Sequence, residues 1–141
     1  MQLEGTRFGQ IEIENARVIT LSNGIIGFPN EKRFVLLKST PETAVSWLQS
    51  LTTPSLAFPV IDGGAILPSY TSADFVELAK QVSLDPKDLS VLVIVVARKD
   101  EPRLMANLLA PIVVDATSGK GAQVVLDTKH YSTAVPIARA A

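Results

Sequence analysis

Short runs of alternating or β-branched apolar residues recur along the chain and predict strands. Residues 10–14 alternate apolar and polar side chains, so one face of this strand is expected inward and an acidic face in water. The run Leu89–Ala97 contains six consecutive apolar residues at 91–96, four of them valine, which favours a central strand covered on both faces over a buried helix. Further strands are predicted at Arg17–Leu21, Phe34–Leu37, Val45–Leu51, Leu56–Ile61, Leu104–Leu109, Ile112–Asp115 and Gln123–Leu126.

One segment has helical periodicity. Apolar residues fall at the i, i+3, i+4 and i+7 positions of one helical face, namely Phe75, Leu78, Ala79 and Val82. Ser72 or Asp74 can cap this segment, and Pro86 disfavours helical geometry in the residue before it. The pattern therefore predicts a helix from Ser72 to Val82.

Strand length and turn frequency indicate the fold class. Pro54 and Pro59 place the region around them at a sheet edge or a bulge, since proline has no N–H to donate to a ladder. Short strands, frequent turns and one main helix predict an all-β fold, a closed or nearly closed antiparallel barrel or sandwich. No repeat or linker interrupts the 141 residues, so we expect a single domain over residues 1–141.

Composition excludes several classes of function. The chain has no cysteine and one histidine, His130, so disulfides are excluded and a zinc site is disfavoured. The net charge is −1 and the basic residues are scattered, which argues against direct binding of nucleic acid. No window approaches the roughly 18 apolar residues of a membrane span, and the N-terminus does not read as a secretory signal. We expect a cytoplasmic protein without cofactor, metal or membrane contact.

Two glycine-containing turns resemble ligand loops only superficially. Gly119-Lys120-Gly121 lacks the earlier glycine and the following Ser or Thr of a phosphate-binding loop, so a flexible hairpin turn between Asp115 and Gln123 is expected. Gly24-Ile25-Ile26-Gly27 has the spacing of an RNA-clamping loop but carries two isoleucines at its centre. A turn whose isoleucines pack downward is the better interpretation.

Residue types of a catalytic triad occur within six positions, as Asp127, His130 and Ser132. Triads are recognised by geometry, and no serine of the chain lies in a G-x-S-x-G elbow. We therefore predict no enzymatic activity and no catalytic residues.

Some polar and aromatic residues are candidates for contact with a protein partner. Glu12 and Glu14 form either a solvated strand face or an acidic rim for a basic partner. Trp47 is the only tryptophan, and it shares one strand face with Gln49. Tryptophan in a small barrel belongs more often to the core, although its enrichment at binding hot spots keeps an interface role open.

Four segments, in their order and spacing, resemble the FliW family of bacterial flagellar assembly factors. They are Gly24-Ile25-Ile26-Gly27-Phe28, Trp47-Leu48-Gln49-Ser50, Asn107-Leu108-Leu109-Ala110-Pro111-Ile112-Val113 and Gly121-Ala122-Gln123-Val124-Val125-Leu126, with Tyr131 and Pro136 beyond. The chain departs from the family pattern at Leu21-Ser22, where Phe-Pro is frequent, and at Thr52-Thr53, where aspartates are common. It departs again at Ala134-Val135, where many members carry Arg-His.

The resemblance implies a cytoplasmic regulator without enzymatic activity, monomeric when free. Such proteins bind the dimeric translational repressor CsrA, which relieves repression of flagellin synthesis, and they also bind flagellin. The residues expected to contact partners are Glu12, Glu14, Trp47, Gln49, Asn107 and Tyr131.

A small β-barrel that binds a ligand is the alternative function. Such a barrel needs a large interior cavity with a few convergent polar groups. The number of valines and leucines predicts instead that the barrel interior is filled.

Overall fold

The structure is a computed structural model that describes residues 2–13, 18–38, 45–63, 72–83, 85–97, 99–100, 104–126 and 131–136. Its helices are α1 (Ser72–Gln81) and a short 3₁₀ turn (Pro86–Asp88). Its strands are β1 (Gln2–Thr6), β2 (Gly9–Glu12), β3 (Val18–Leu21), β4 (Arg33–Lys38), β5 (Ser46–Ser50), β6 (Ala57–Asp62), β7 (Leu89–Ala97), β8 (Leu104–Ala106), β9 (Ile112–Asp115), β10 (Lys120–Gln123) and β11 (Val135–Pro136).

Within the described residues, seven strands close into a barrel in the order β7-β6-β5-β4-β3-β10-β9, because β9 pairs back onto β7. The closed all-β barrel predicted from the sequence is confirmed. The expectation of purely antiparallel pairing is corrected at one place, since β10 runs parallel to β3. Strand direction cannot alternate around a closed ring with an odd number of strands, so at least one neighbouring pair must be parallel.

The remaining described strands extend or flank the barrel. β8 continues the edge of β7 beyond β9, and β11 pairs with β8. β1 and β2 form a separate two-stranded hairpin. Neither β1 nor β11 is predicted by the pattern, because β1 carries a glycine and little alternation and β11 is two residues long.

Alternate residues of β7 contribute to two separate cores. Leu92 and Ile94 point into the barrel, while Val91, Val93 and Val95 point outward. The barrel interior is filled by buried residues that include Leu21, Phe34, Leu48, Val60 and Ile112. The outer core lies around Leu78, Ala106, Leu108, Val113 and Val124. The prediction that β7 is a central strand covered on both faces is confirmed.

Helix α1 closes the outer core, as its periodicity predicts. Leu78 and Ala79 are buried, and Val82 packs against the same cluster. The side chain of Phe75 is not among those described. The helix begins at Ser72, as predicted, and ends one residue before Val82.

The expectation for Pro59 is wrong, because β6 lies between β5 and β7 rather than at an edge. Pro59 pairs with Trp47 of β5, whereas the ladder to β7 begins one residue later, at Val60. The missing N–H therefore falls at the end of the ladder, where no pairing is lost. Pro54 lies in the turn between β5 and β6.

A hairpin turn joins β9 to β10 between Asp115 and Gln123, as expected, but it is shorter than expected because Lys120 and Gly121 already belong to β10. The turn spans only residues 116–118, and β10 begins at Lys120. The predicted strand Gln123–Leu126 therefore begins too late. Residues 124–126 still run beside residues 109–111, since Val124 N–H donates to Pro111 O and Leu126 N–H donates to Leu109 O.

Candidate protein-binding surface

The turn between β3 and β4 is tight and braced by its own backbone. Ile25 and Phe28 exchange two backbone hydrogen bonds, with N···O distances of 3.3 and 2.6 Å. Gly24 has φ of +68°, and a Cβ there would lie 2.6 Å from Phe28 O and 2.7 Å from Pro29 O. Position 24 therefore requires glycine, and the turn has one well-defined conformation.

This turn buries one isoleucine and exposes the other. Ile25 belongs to the barrel core, whereas the side chain of Ile26 is 63% exposed and that of Phe28 is 41% exposed. The prediction that both isoleucines pack downward is right for Ile25 and wrong for Ile26. We call the two exposed residues, Ile26 and Phe28, the tip patch.

Side chains from two other segments fix the tip patch in place. Gln123 accepts a hydrogen bond from Ile26 N–H through Oε1 at 2.7 Å and donates from Nε2 to Ala110 O at 3.0 Å. Asn107 Oδ1 accepts from Ala110 N–H at 3.2 Å. The turn is thus tied to β10 and to the loop after β8, which explains why glutamine and asparagine occupy these positions.

An aromatic chain supports the tip patch from below. The Phe28 ring meets the Phe58 ring edge to face at a centroid distance of 5.3 Å, and Phe58 in turn meets Phe34 at 6.2 Å. Phe34 is fully buried in the barrel. An exposed apolar tip held this firmly loses little conformational freedom on binding, which is the property of a preorganised contact surface.

Trp47 lies on the outer face of β5, opposite the inward Leu48, and the β1–β2 hairpin covers it. The Arg7 guanidinium sits 4.2 Å from the Trp47 ring centroid, and the Phe8 ring meets Trp47 edge to face at 5.6 Å. Trp47 is half-buried. Its ring therefore anchors the hairpin to the barrel and keeps part of its surface open.

Phe8→Ala is expected to shift the tryptophan emission to longer wavelength and to lower the free energy of unfolding by about 1 kcal/mol, the usual worth of an aromatic pair. Trp47 is the only tryptophan, so the tryptophan emission comes from this ring alone. Phe28→Ala is the matched control, because Phe28 and Phe8 are 41% and 39% exposed but Phe28 pairs with Phe58. Equal emission shifts from both variants would contradict the assignment.

Gln49 has an internal role. Its side chain is 0% exposed, and Nε2 lies within hydrogen-bond distance of the carbonyl oxygens of Ser50, Pro54 and Leu56. These contacts hold the turn between β5 and β6. Gln49 Oε1 is buried and has no hydrogen-bond partner within the described residues. In this structure the side chain is not available to a partner, unlike the exposed contact expected from the sequence.

Glu31 joins the turn after β3 to the turn after β5. Its carboxylate accepts hydrogen bonds of 2.5 Å from Ser50 Oγ and from Thr53 Oγ1. Ser50 Oγ also accepts from the backbone N–H groups of Thr52 and Thr53. At Thr53, where aspartate is common in the pattern noted above, this chain thus has a hydroxyl that donates to Glu31.

Thr53→Asp is expected to destabilise the fold by about 1 kcal/mol or more, because a second carboxylate would replace a donor to Glu31. Glu31→Gln should restore stability in the Thr53→Asp background, since an amide can donate to Asp. In the wild-type background the same Glu31→Gln change should destabilise. Thermal unfolding of the four proteins at pH 7 measures this coupling, and simple additivity would contradict it.

The residues expected to bind partners do not form one site. Glu12 is exposed on β2, and Glu14 lies outside the described residues. Asn107 and Tyr131 belong to a different region from Trp47, since β6 and β7 separate β5 from β8. Tyr131 is half-buried against the outer core. The sequence analysis does not predict that Ile26 and Phe28 are exposed. The signal for it is the Gly-Ile-Ile-Gly-Phe sequence, which has three large apolar residues in one turn.

The described residues offer little for catalysis or metal binding. Asp127 and His130 lie outside them, and Ser132 Oγ accepts a hydrogen bond from the N–H of Ala134. No cluster of three or more potential metal ligands occurs in the described part of the chain. In that same part, no helix has the length and apolar character needed to cross a bilayer.

Fold and surface together define a small closed β-barrel with a second, helix-covered core and a rigid apolar tip. The sequence matches the FliW protein family over residues 2–137, and the chain belongs to that family. The resemblance drawn from its sequence segments is thereby confirmed.

Individual relatives agree over nearly the whole chain. A flagellar assembly factor FliW from Heliobacterium modesticaldum is 37% identical over 134 residues, which cover 94% of this chain and 88% of that protein. The FliW protein of Geobacter sulfurreducens is 36% identical, with 96% of this chain and 86% of that protein covered. A crystal structure of the flagellar assembly factor FliW superposes with a TM-score of 0.77 at 31% identity and covers 96% of both chains.

Proposed function

We propose that this protein serves flagellar assembly in the cytoplasm as a non-enzymatic binding protein with two partners. It binds the dimeric translational repressor CsrA and thereby relieves repression of flagellin synthesis, and it binds flagellin itself. Membership of a family of flagellar assembly factors supports the proposed role in flagellar assembly. The two partners follow from the family resemblance rather than from the geometry.

The observation that carries a binding role is the tip patch. Ile26 and Phe28 are exposed apolar side chains on a turn that is hydrogen-bonded to Gln123 and packed edge to face against Phe58. We propose the tip patch as the centre of a protein interface, with Trp47, Glu12, Asn107 and Tyr131 as further contact candidates on other parts of the surface. Buried apolar anchors usually supply most of the binding energy at such interfaces.

The charge of this protein favours a mechanism in which it acts on the repressor from outside the RNA-binding groove. The net charge of −1 and the scattered acidic residues give no polyanionic surface that could imitate RNA. We propose that the protein docks away from the RNA-binding groove of CsrA and weakens RNA binding through a coupling free energy between two sites.

An electrophoretic mobility assay tests this function. The protein alone should not shift flagellin messenger RNA at physiological salt, and it should release RNA from a preformed complex with CsrA. A shift by the protein alone would contradict the proposal, and so would a repressor–RNA complex that persists at saturating protein. Addition of the same volume of buffer without the protein serves as the control for loss of binding through dilution.

Flagellin and CsrA are expected to compete for this protein. Area alone does not demand competition, because two interfaces of about 800 Å² each would fit on an accessible surface of 8437 Å². We propose that both partners use the tip patch, and two proteins that need the same patch must compete for it. Flagellin titrated into a preformed complex should release free CsrA in size-exclusion chromatography, whereas a stable complex of all three proteins would end the idea.

A further inference from the structure

A cavity of about 560 Å³ opens at the end of the barrel opposite the tip patch. It lies where β3 and β7 begin and where β4 and β9 end. The expectation that apolar side chains fill the barrel holds for its middle but fails at this end. Cavities of 300–1,000 Å³ are the usual size of small-molecule sites.

The cavity floor is apolar and its rim is polar. Inward side chains of the barrel core line the floor, namely Ile19, Leu36, Leu92 and Val114. One step further along the same strand faces the sequence changes character, with Lys38 following Leu36 on β4 and Ser90 preceding Leu92 on β7. A ligand with an apolar body and a polar head matches this gradient.

Two of the described lining residues are charged, Lys38 and Asp115, and they differ in their hydrogen-bond and ion-pair partners. Asp115 accepts hydrogen bonds from Thr117 N–H at 2.9 Å and from Ser118 Oγ at 3.0 Å. These bonds lower the pKa of the Asp115 carboxyl and tie its charge to its own turn. Lys38 is exposed and has no carboxylate partner among the described residues, so its ammonium remains available to an anion.

We propose that this end of the barrel binds a small aliphatic carboxylate, with its chain against Ile19, Leu36, Leu92 and Val114 and its head at Lys38. The site lies beyond the role in flagellar assembly proposed above. It is separate from the tip patch, because the two occupy opposite ends of β3 and β4. Binding can therefore be measured on the isolated protein, without either protein partner.

The test uses decanoate below its micellar concentration, with 1-decanol as the probe that keeps the chain and removes the charge. In the ¹⁵N-labelled wild-type protein, saturable amide shifts are expected at Ile19, Leu36, Leu92 and Val114. Lys38→Ala should weaken decanoate binding about tenfold by calorimetry and leave decanol binding unchanged. Lys32→Ala removes an exposed lysine at the opposite end of β4 and should leave binding of both ligands unchanged.

Ser90→Phe is the second variant, because it places a ring in the cavity and should abolish binding of both ligands. If Ser90→Phe does not fold, the amide shifts of the wild-type protein and the binding of both ligands to Lys38→Ala still decide the test. The proposal is overturned if decanoate produces no saturable shifts at the floor residues of the wild-type protein. Equal weakening by Lys38→Ala and Lys32→Ala would overturn it as well.

Discussion

Gly121→Ala is expected to lower the free energy of unfolding by about 3 kcal/mol or more. A Cβ at position 121 would lie 3.0 Å from the carbonyl carbon of Val113 and would overlap its oxygen. Gly121 pairs with Val114 on β9 and with Leu21 on β3. A shift of β10 that relieves the overlap therefore strains ladders on both sides and opens the barrel where its parallel pair lies.

Urea unfolding followed by circular dichroism measures this effect. Gly9→Ala is the control, since Gly9 has φ of +79° but no atom within 4 Å of the added Cβ. That variant should lose only about 1 kcal/mol, the strain of a left-handed backbone at a residue with a side chain. Similar losses in both variants would mean that β10 can move without disturbing the barrel.

The local pattern predicts the elements whose burial is set by their own sequence. β7 and β9 have the bounds predicted for them, Leu89–Ala97 and Ile112–Asp115, and α1 follows its helical periodicity. Both faces of β7 are apolar because both faces are covered. Such segments leave one register that buries all their apolar side chains.

Features set by distant contacts are not in the local pattern. The start of β10 depends on Gly121, whose missing Cβ makes room for the Val113 carbonyl. The parallel pair depends on the number of strands in the ring, and the place of Pro59 depends on where the ladder to β7 begins. None of these facts can be deduced from neighbouring residues along the chain.

The candidate site was predicted only in part for the same reason. The strand alternation correctly placed Trp47 and Gln49 on the face opposite Leu48. It could not show that the turn between β5 and β6 folds over Gln49 and buries it. The turn at Gly24–Phe28 is recognised from the sequence, but the contact of its outer residue, Ile26, with Gln123 of β10 is not encoded by neighbouring residues.

Ile26→Glu is expected to weaken binding of CsrA and of flagellin about 100-fold while leaving the melting temperature nearly unchanged. Ile26 is 63% exposed, so a charge there meets water in the free protein. In a complex centred on the tip patch, the same carboxylate would be buried without a partner, and hot-spot residues are typically worth 2 kcal/mol or more. Isothermal titration with each partner gives the affinity, and thermal unfolding shows whether the fold is intact.

Val96→Glu is the matched control, because Val96 is 61% exposed, almost the same as Ile26, and lies on β7 beside β8. It adds the same charge to the surface and should leave both affinities unchanged. The backbone contacts of Ile26 with Gln123 survive either side-chain change, so lost binding would report on the exposed side chain itself. If Ile26→Glu binds both partners normally, the tip patch is not their interface. If Val96→Glu weakens binding equally, added charge alone accounts for the loss. A loss of only one partner would assign the tip patch to that partner and remove the structural reason for competition.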